Sequence, residues 1–93
     1  MNLRVVRSPR AAAEIRDIAN YLVELSPAAA GRFLAAMQAA EERLAVLPHS
    51  GVPGLLPGTR RLIIGDYILS YRVRRDTVEV YAVRHAKRRD ARP

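Results

Sequence analysis

The stretch RRLIIGDYILSYRVRRDTVEVYAVRH, residues 60–85, decides how this chain folds. Its apolar residues recur at every second position, the period of a strand with one buried face. Gly65-Asp66 interrupts the pattern once, and the glycine supplies the positive φ of a two-residue hairpin turn. Arg75-Asp76 interrupts it again, as a weaker turn pair. The stretch therefore reads as a three-strand meander over 60–64, 67–74 and 77–84. Two-residue turns then set the registers. Leu62, Leu69 and Ala82 fall in one row, Arg60, Tyr71 and Val80 in another, and Val73 meets Val78. This face is expected to meet helices. On the other face Arg61, Ser70 and Tyr81 form a row, and Ile63, Ile68 and Val83 the next. Arg72 stands opposite Glu79 as a cross-strand ion pair. A sheet face that met only water would be more polar than this mixture, so the outer face is expected to meet a partner.

Upstream of the meander the period is helical. Ser8 and Pro9 give an N-cap and a first-turn proline, and Ala11, Ile15, Ile18, Leu22 and Leu25 then form one apolar stripe. The signal repeats at Ser26 and Pro27, with Ala30, Phe33, Met37, Ala40, Leu44 and Leu47 as the second stripe. Helices over 9–25 and 27–47 with so short a link must fold back as an αα-hairpin. Residues 2–7 read as a short strand. Residues 48–58, with three prolines and three glycines, read as a loop, and 85–93 as a basic tail. The expected architecture is one α+β domain over 1–93, ordered β-α-α-β-β-β. Its helical hairpin packs on one face of a small, mostly antiparallel sheet.

Composition narrows the function. The chain has 93 residues and 49% hydrophobic content, enough for one globular domain and too much for disorder. It has no cysteine, so disulfides and thiolate metal sites are excluded. No apolar run reaches the length of a membrane span, and the start is too weakly apolar for a signal peptide, so a cytoplasmic protein is expected. The net charge is +7, and it is uneven: residues 51–93 hold ten basic and four acidic residues, against six and five in residues 1–50. A basic C-terminal half suits an acidic partner, although arginine also serves solubility.

The residues able to carry chemistry are few. His85, Lys87, Arg88 and Arg89 follow the last strand. Ribonuclease chemistry needs a proton acceptor, a proton donor and cations for the phosphorane charge. Arg61, Tyr81, His85 and Arg88 supply such types. Basic residues beside a histidine also arise often by chance, and a solvated or partner-binding end is the preferred reading of the cluster. Arg61 is balanced between a phosphate contact and a structural role, while Arg72 has a local partner in Glu79. Tyr67 and Tyr71 read as packing residues. His49 has no second ligand at metal-binding spacing, so no metal site is expected. No phosphate loop, nucleophile elbow or paired-carboxylate motif is present, and no cofactor is expected.

Taken in order, SPRAAAEIRDIANYL, LPHSG, the arginine before the meander, Y-x-x-x-Y-R-V (Tyr67, Tyr71, Arg72, Val73) and V-x-H-x-x-R (Val83, His85, Arg88) resemble the RelE/ParE superfamily of bacterial toxins. The resemblance covers nearly the whole chain. It implies a toxin of a type II toxin–antitoxin module. In the RelE branch such a toxin cuts mRNA in the ribosomal A site, and in the ParE branch it poisons DNA gyrase. Ile68 stands where the RelE branch tends to carry arginine, and the last ten residues hold no tyrosine. The ParE-like reading is therefore preferred, with RelE-like mRNA cleavage as the alternative. The resemblance also implies a ParD-like antitoxin whose acidic C-terminal segment wraps the toxin, with DNA met only indirectly, through the antitoxin or gyrase. Arg61, Arg72, Tyr81, Arg84, His85, Lys87, Arg88 and Arg89 are then the candidate target or antitoxin contacts.

Overall fold

The first helix begins where the chain has little other choice. In the computed structural model, which describes residues 2–87, helix α1 spans Pro9–Leu25. The Ser8 hydroxyl accepts the Ala11 N–H at 3.0 Å, and Pro9 fills the first turn, where its missing N–H costs nothing. Helix α2 spans Pro27–Val46. Ser26 serves both helices. Its N–H donates to the Leu22 carbonyl at 2.8 Å, closing α1, while its hydroxyl accepts from Ala29 at 3.3 Å, opening α2. A single residue as both caps folds the helices into the expected hairpin.

Strand β1 (Arg4–Arg7), β2 (Val52–Pro53), β3 (Thr59–Ile64), β4 (Tyr67–Arg74) and β5 (Thr77–His85) form one sheet in the order β1-β5-β4-β3-β2. Only the β1–β5 pairing is parallel. The fold class matches the expectation, with one more strand than expected. Residues 48–58 are not all loop: Val52 pairs with Arg61 and Pro53 with Arg60. Two residues between prolines and glycines carry too little periodicity to announce a strand. The first strand starts at Arg4, α2 ends at Val46, β3 begins at Thr59, and His85 is the last residue of β5, not the first of a tail.

The turn Gly65-Asp66, with Gly65 at φ +62°, sets β3 against β4 with Leu62 opposite Leu69 and Ile63 opposite Ile68. The β4–β5 register holds from Arg74 opposite Thr77 to Tyr71 opposite Val80, and then slips. A β-bulge places Ser70 opposite Ala82 and Leu69 opposite Val83, leaving Tyr81 as the extra residue. This corrects three placements. Val83 lies in the core, Ala82 moves to the outer side, and Tyr81 no longer pairs with Ser70.

The core lies between hairpin and sheet: Ala11 and Ile15 from α1, Phe33, Met37, Ala40 and Leu44 from α2, and Leu62, Leu69, Tyr71, Val78, Val80 and Val83 from the strands. Leu25, the last residue of α1, and Leu47, the residue that caps α2, are exposed rather than part of the buried stripes. Arg7 ties β1 to α2 through paired contacts of 2.6 and 3.0 Å to the Glu41 carboxylate. Hydrogen bonding to Glu41 raises the Arg7 pKa above its usual value, outweighing desolvation. A raised cationic pKa adds stability that is complete below the unfolded value and lost only above it, so this link is constant across neutral pH.

Tyr71 is fully buried, and its hydroxyl clamps the end of α2. It donates to the Pro48 carbonyl at 2.8 Å and accepts the Gly51 N–H at 3.0 Å. Arg60 reinforces the clamp, donating to the Gly51 carbonyl at 2.7 Å and to the His49 carbonyl at 3.3 Å.

Candidate functional site

The candidate residues divide between the two faces of the sheet. Alternation along β3, β4 and β5 places Arg61, Arg72 and Tyr81 on the outer face, away from the helices. There the Arg72 guanidinium lies 5.2 Å from the centre of the Tyr81 ring, and its Nε is 3.0 Å from Glu79 Oε1. The expected Arg72–Glu79 ion pair is present. Its Nε is poorly aligned for a hydrogen bond, so the contact is mainly electrostatic. Arg61 is half-buried between Val52 and Ser70, and its Nε has no hydrogen-bond partner among the described residues. Arg74 is exposed toward one end of this face. Ile63 is also exposed, and Ile68 half-buried. The result is an arginine-rich platform with one tyrosine and two isoleucines.

His85 points the other way. The bulge at Tyr81 and the alternation after it turn Val83 and His85 toward the helices. The imidazole stands edge-on to Tyr67, with ring centroids 5.2 Å apart, and Tyr67 in turn packs on Phe33 at 4.9 Å. His85 Nδ1 accepts the Lys87 N–H at 3.1 Å. Together with Glu14, Asp17, Tyr21 and Val83, His85 lines an open groove of about 310 Å³ between α1 and the end of β5. Arg84, opposite Ile68 in the register, is exposed and borders this groove.

The groove exists because β1 ends at Arg7 while β5 runs on to His85. The freed edge of β5 is met by side chains of Ser8 and of the first turns of α1. Ser8 donates to the Tyr81 carbonyl at 3.3 Å, and the Glu14 carboxylate accepts the Val83 N–H at 2.8 Å. Glu14 also binds Arg10 at 3.0 Å. The carboxylate is thus committed to backbone and cation, as a structural group would be.

Lys87 is exposed beyond the sheet. Arg88 and Arg89 lie outside the described residues. Among the described residues no group of histidines and carboxylates is arranged to hold a metal. Of the residues expected for RNA cleavage, the three that are described do not share a face: Arg61 and Tyr81 sit on one side of the sheet and His85 on the other. No signal in the sequence marks the bulge that separates them.

A second groove lies along the edge of β3. Strand β2 pairs only with Arg60 and Arg61, so the outer edge of β3 from Leu62 to Ile64 has no strand partner among the described residues. Alongside it run Ala36, Ala39 and Ala40 of α2, with Arg43 at one end and Arg32 beyond Ala36 at the other. Small side chains keep this trough open, and a cation stands near each end.

Comparison with known proteins places these features. Residues 5–90 match the family described as ParE toxin of type II toxin-antitoxin system, parDE. A Sinorhizobium fredii protein named as toxin Y4kP is 40% identical over 79 residues, covering 83% of this chain and 81% of that protein. Toxin RelE2 of Caulobacter vibrioides is 29% identical over 85 residues, covering 91% of this chain and 97% of its own length. Among solved structures, a chain of the chromosomal ParDE TA system from P. aeruginosa superposes with a TM-score of 0.80, at 19% identity over 91% of this chain and 97% of that one. That likeness is one of fold.

Proposed function

The chain belongs to the ParE toxin family of type II toxin–antitoxin systems, and from that premise we propose that it acts by binding and inhibiting DNA gyrase, held in check by a cognate antitoxin. The observation that carries this reading over mRNA cleavage is the separation of His85 from Arg61 and Tyr81 by the thickness of the sheet. Proton transfer and charge stabilisation act on one reacting phosphate only when their groups converge within hydrogen-bond reach of it. Here they do not converge. A protein-binding toxin needs no such convergence. It needs exposed arginines, aromatic and aliphatic side chains on a rigid frame, and the outer face of the sheet has them.

The antitoxin is expected to use a different surface. The trough between α2 and the open edge of β3 suits an extended acidic segment. The edge of β3 from Leu62 to Ile64 has no strand partner among the described residues, the alanines leave room for side chains, and Arg32 and Arg43 stand ready for carboxylates. The net charge of +7 would steer an acidic chain toward it. No helix among the described residues is long and apolar enough to cross a membrane.

The test is direct: purified toxin, gyrase, relaxed plasmid and ATP. Loss of supercoiling supports the reading. Codon-positioned mRNA cleavage that requires ribosomes, with gyrase untouched, replaces it.

A further inference from the structure

The tip of the β2–β3 hairpin is braced more firmly than a connecting loop requires. Leu56, Pro57, Gly58 and Thr59 form a β-turn in which the Thr59 N–H donates to the Leu56 carbonyl at 3.2 Å. Pro57 presets its second position, and Gly58 takes φ +79° at its third, the signature of a type II turn. The buried Thr59 hydroxyl donates to the same carbonyl at 2.6 Å. The Gly54 N–H closes the hairpin onto the Thr59 carbonyl at 2.8 Å. A side chain at Gly54 would start 2.5 Å from the Thr59 hydroxyl, so only glycine allows this approach. Yet the apolar side chains on the braced tip are left largely in water. Leu55 is 88% exposed, Leu56 62% and neighbouring Val52 55%.

Fixing a turn while leaving two leucines in water gains the fold little. It gains a binding event more, because the anchor is ordered before contact and loses little freedom on docking. The geometry points to a leucine prong, Leu55 and Leu56, that inserts into a preformed apolar cleft of the folded target protein. This rests on the toxin reading above and adds which part of the chain makes the contact.

Three features select that occupant. The prong is convex, so it calls for a concave partner. An antitoxin segment that orders only on binding has no cleft of its own to offer. A lipid surface would want cations beside the leucines. The arginine nearest the tip, Arg60, is instead turned back onto the His49 and Gly51 carbonyls.

The experiment is induced expression of the wild-type chain and of Leu55→Ala/Leu56→Ala, scored by viable counts. Circular dichroism melting of both purified proteins accompanies it, along with sedimentation with vesicles of anionic phospholipid. Both leucines are solvent-exposed, so the variant should melt within a few degrees of wild type. The prong predicts that killing falls by about tenfold or more, the scale of losing one binding hot spot. Undiminished killing by the folded variant overturns it. So does vesicle binding that only the wild type shows, or a wild-type chain that does not arrest growth at all. Should the wild type kill without inhibiting gyrase, the gyrase reading fails alone, and the viable counts still decide the prong.

Discussion

The His85 imidazole meets the Tyr67 ring edge-on at 5.2 Å, on the helix side of the sheet, while Tyr81 lies on the far side beneath Arg72. Four residues apart in sequence, His85 and Tyr81 look like partners in one site. The bulge at Tyr81 and the pleat that follows part them. A substitution that keeps the acceptor for the Lys87 N–H should then leave the toxin working. His85→Gln is expected to inhibit gyrase within about twofold of wild type, the range of a surface change of some 0.5 kcal/mol. Abolished toxicity with an intact fold would return His85 to the mechanism.

The basic end is expected to behave otherwise. Replacing Lys87, Arg88 and Arg89 together by alanine removes three cations from the C-terminal end of the chain, the last two beyond the described residues. Killing should be lost while the melting curve stays unchanged, since Lys87 is exposed. A triple variant that still kills would remove these three from the set of target contacts.

Tyr71 offers a test of how the loop is held. Tyr71→Phe keeps the ring in the core but strips the hydroxyl from the Pro48 carbonyl and the Gly51 N–H. Leaving a buried donor unsatisfied costs about 1–3 kcal/mol, which urea unfolding would read as a lower midpoint at an unchanged slope. No shift in the midpoint would mean that water replaces the hydroxyl without cost.

The two folded-in hairpins were legible to different depths. Ser8-Pro9 and Ser26-Pro27 announce both helices, because capping chemistry is local and its residues are few. Gly65-Asp66 dictates the β3–β4 register, because a two-residue turn leaves one pairing. The bulge was not legible. In YAV, residues 81–83, any of the three side chains could be buried, so alternation alone did not choose between Ala82 and Val83. The parallel pairing of β1 with β5 was equally hidden, since it joins segments more than seventy residues apart. So was β2, whose two residues show no period. The candidate site suffered most from this. Its residue types were visible, but which of them share a face depends on the bulge.

Gly51 shows the same tight packing from the backbone side. A Cβ there would lie 2.5 Å from the Arg61 carbonyl and 2.8 Å from the Tyr71 hydroxyl. Neither is the free end of a flexible chain. Gly51→Ala should therefore destabilise by about 1–3 kcal/mol, the usual cost of overpacking, and lower the melting temperature. An alanine variant as stable as wild type would show that the loop has room to move.

The most direct test of the central claim is gyrase itself. Purified toxin is titrated into gyrase with plasmid and ATP, and supercoiling and protein-linked double-strand breaks are followed. Supercoiling is expected to be lost and breaks to accumulate, with His85→Gln doing the same. Full supercoiling at large toxin excess, with ribosome-dependent mRNA cleavage in its place, would contradict it.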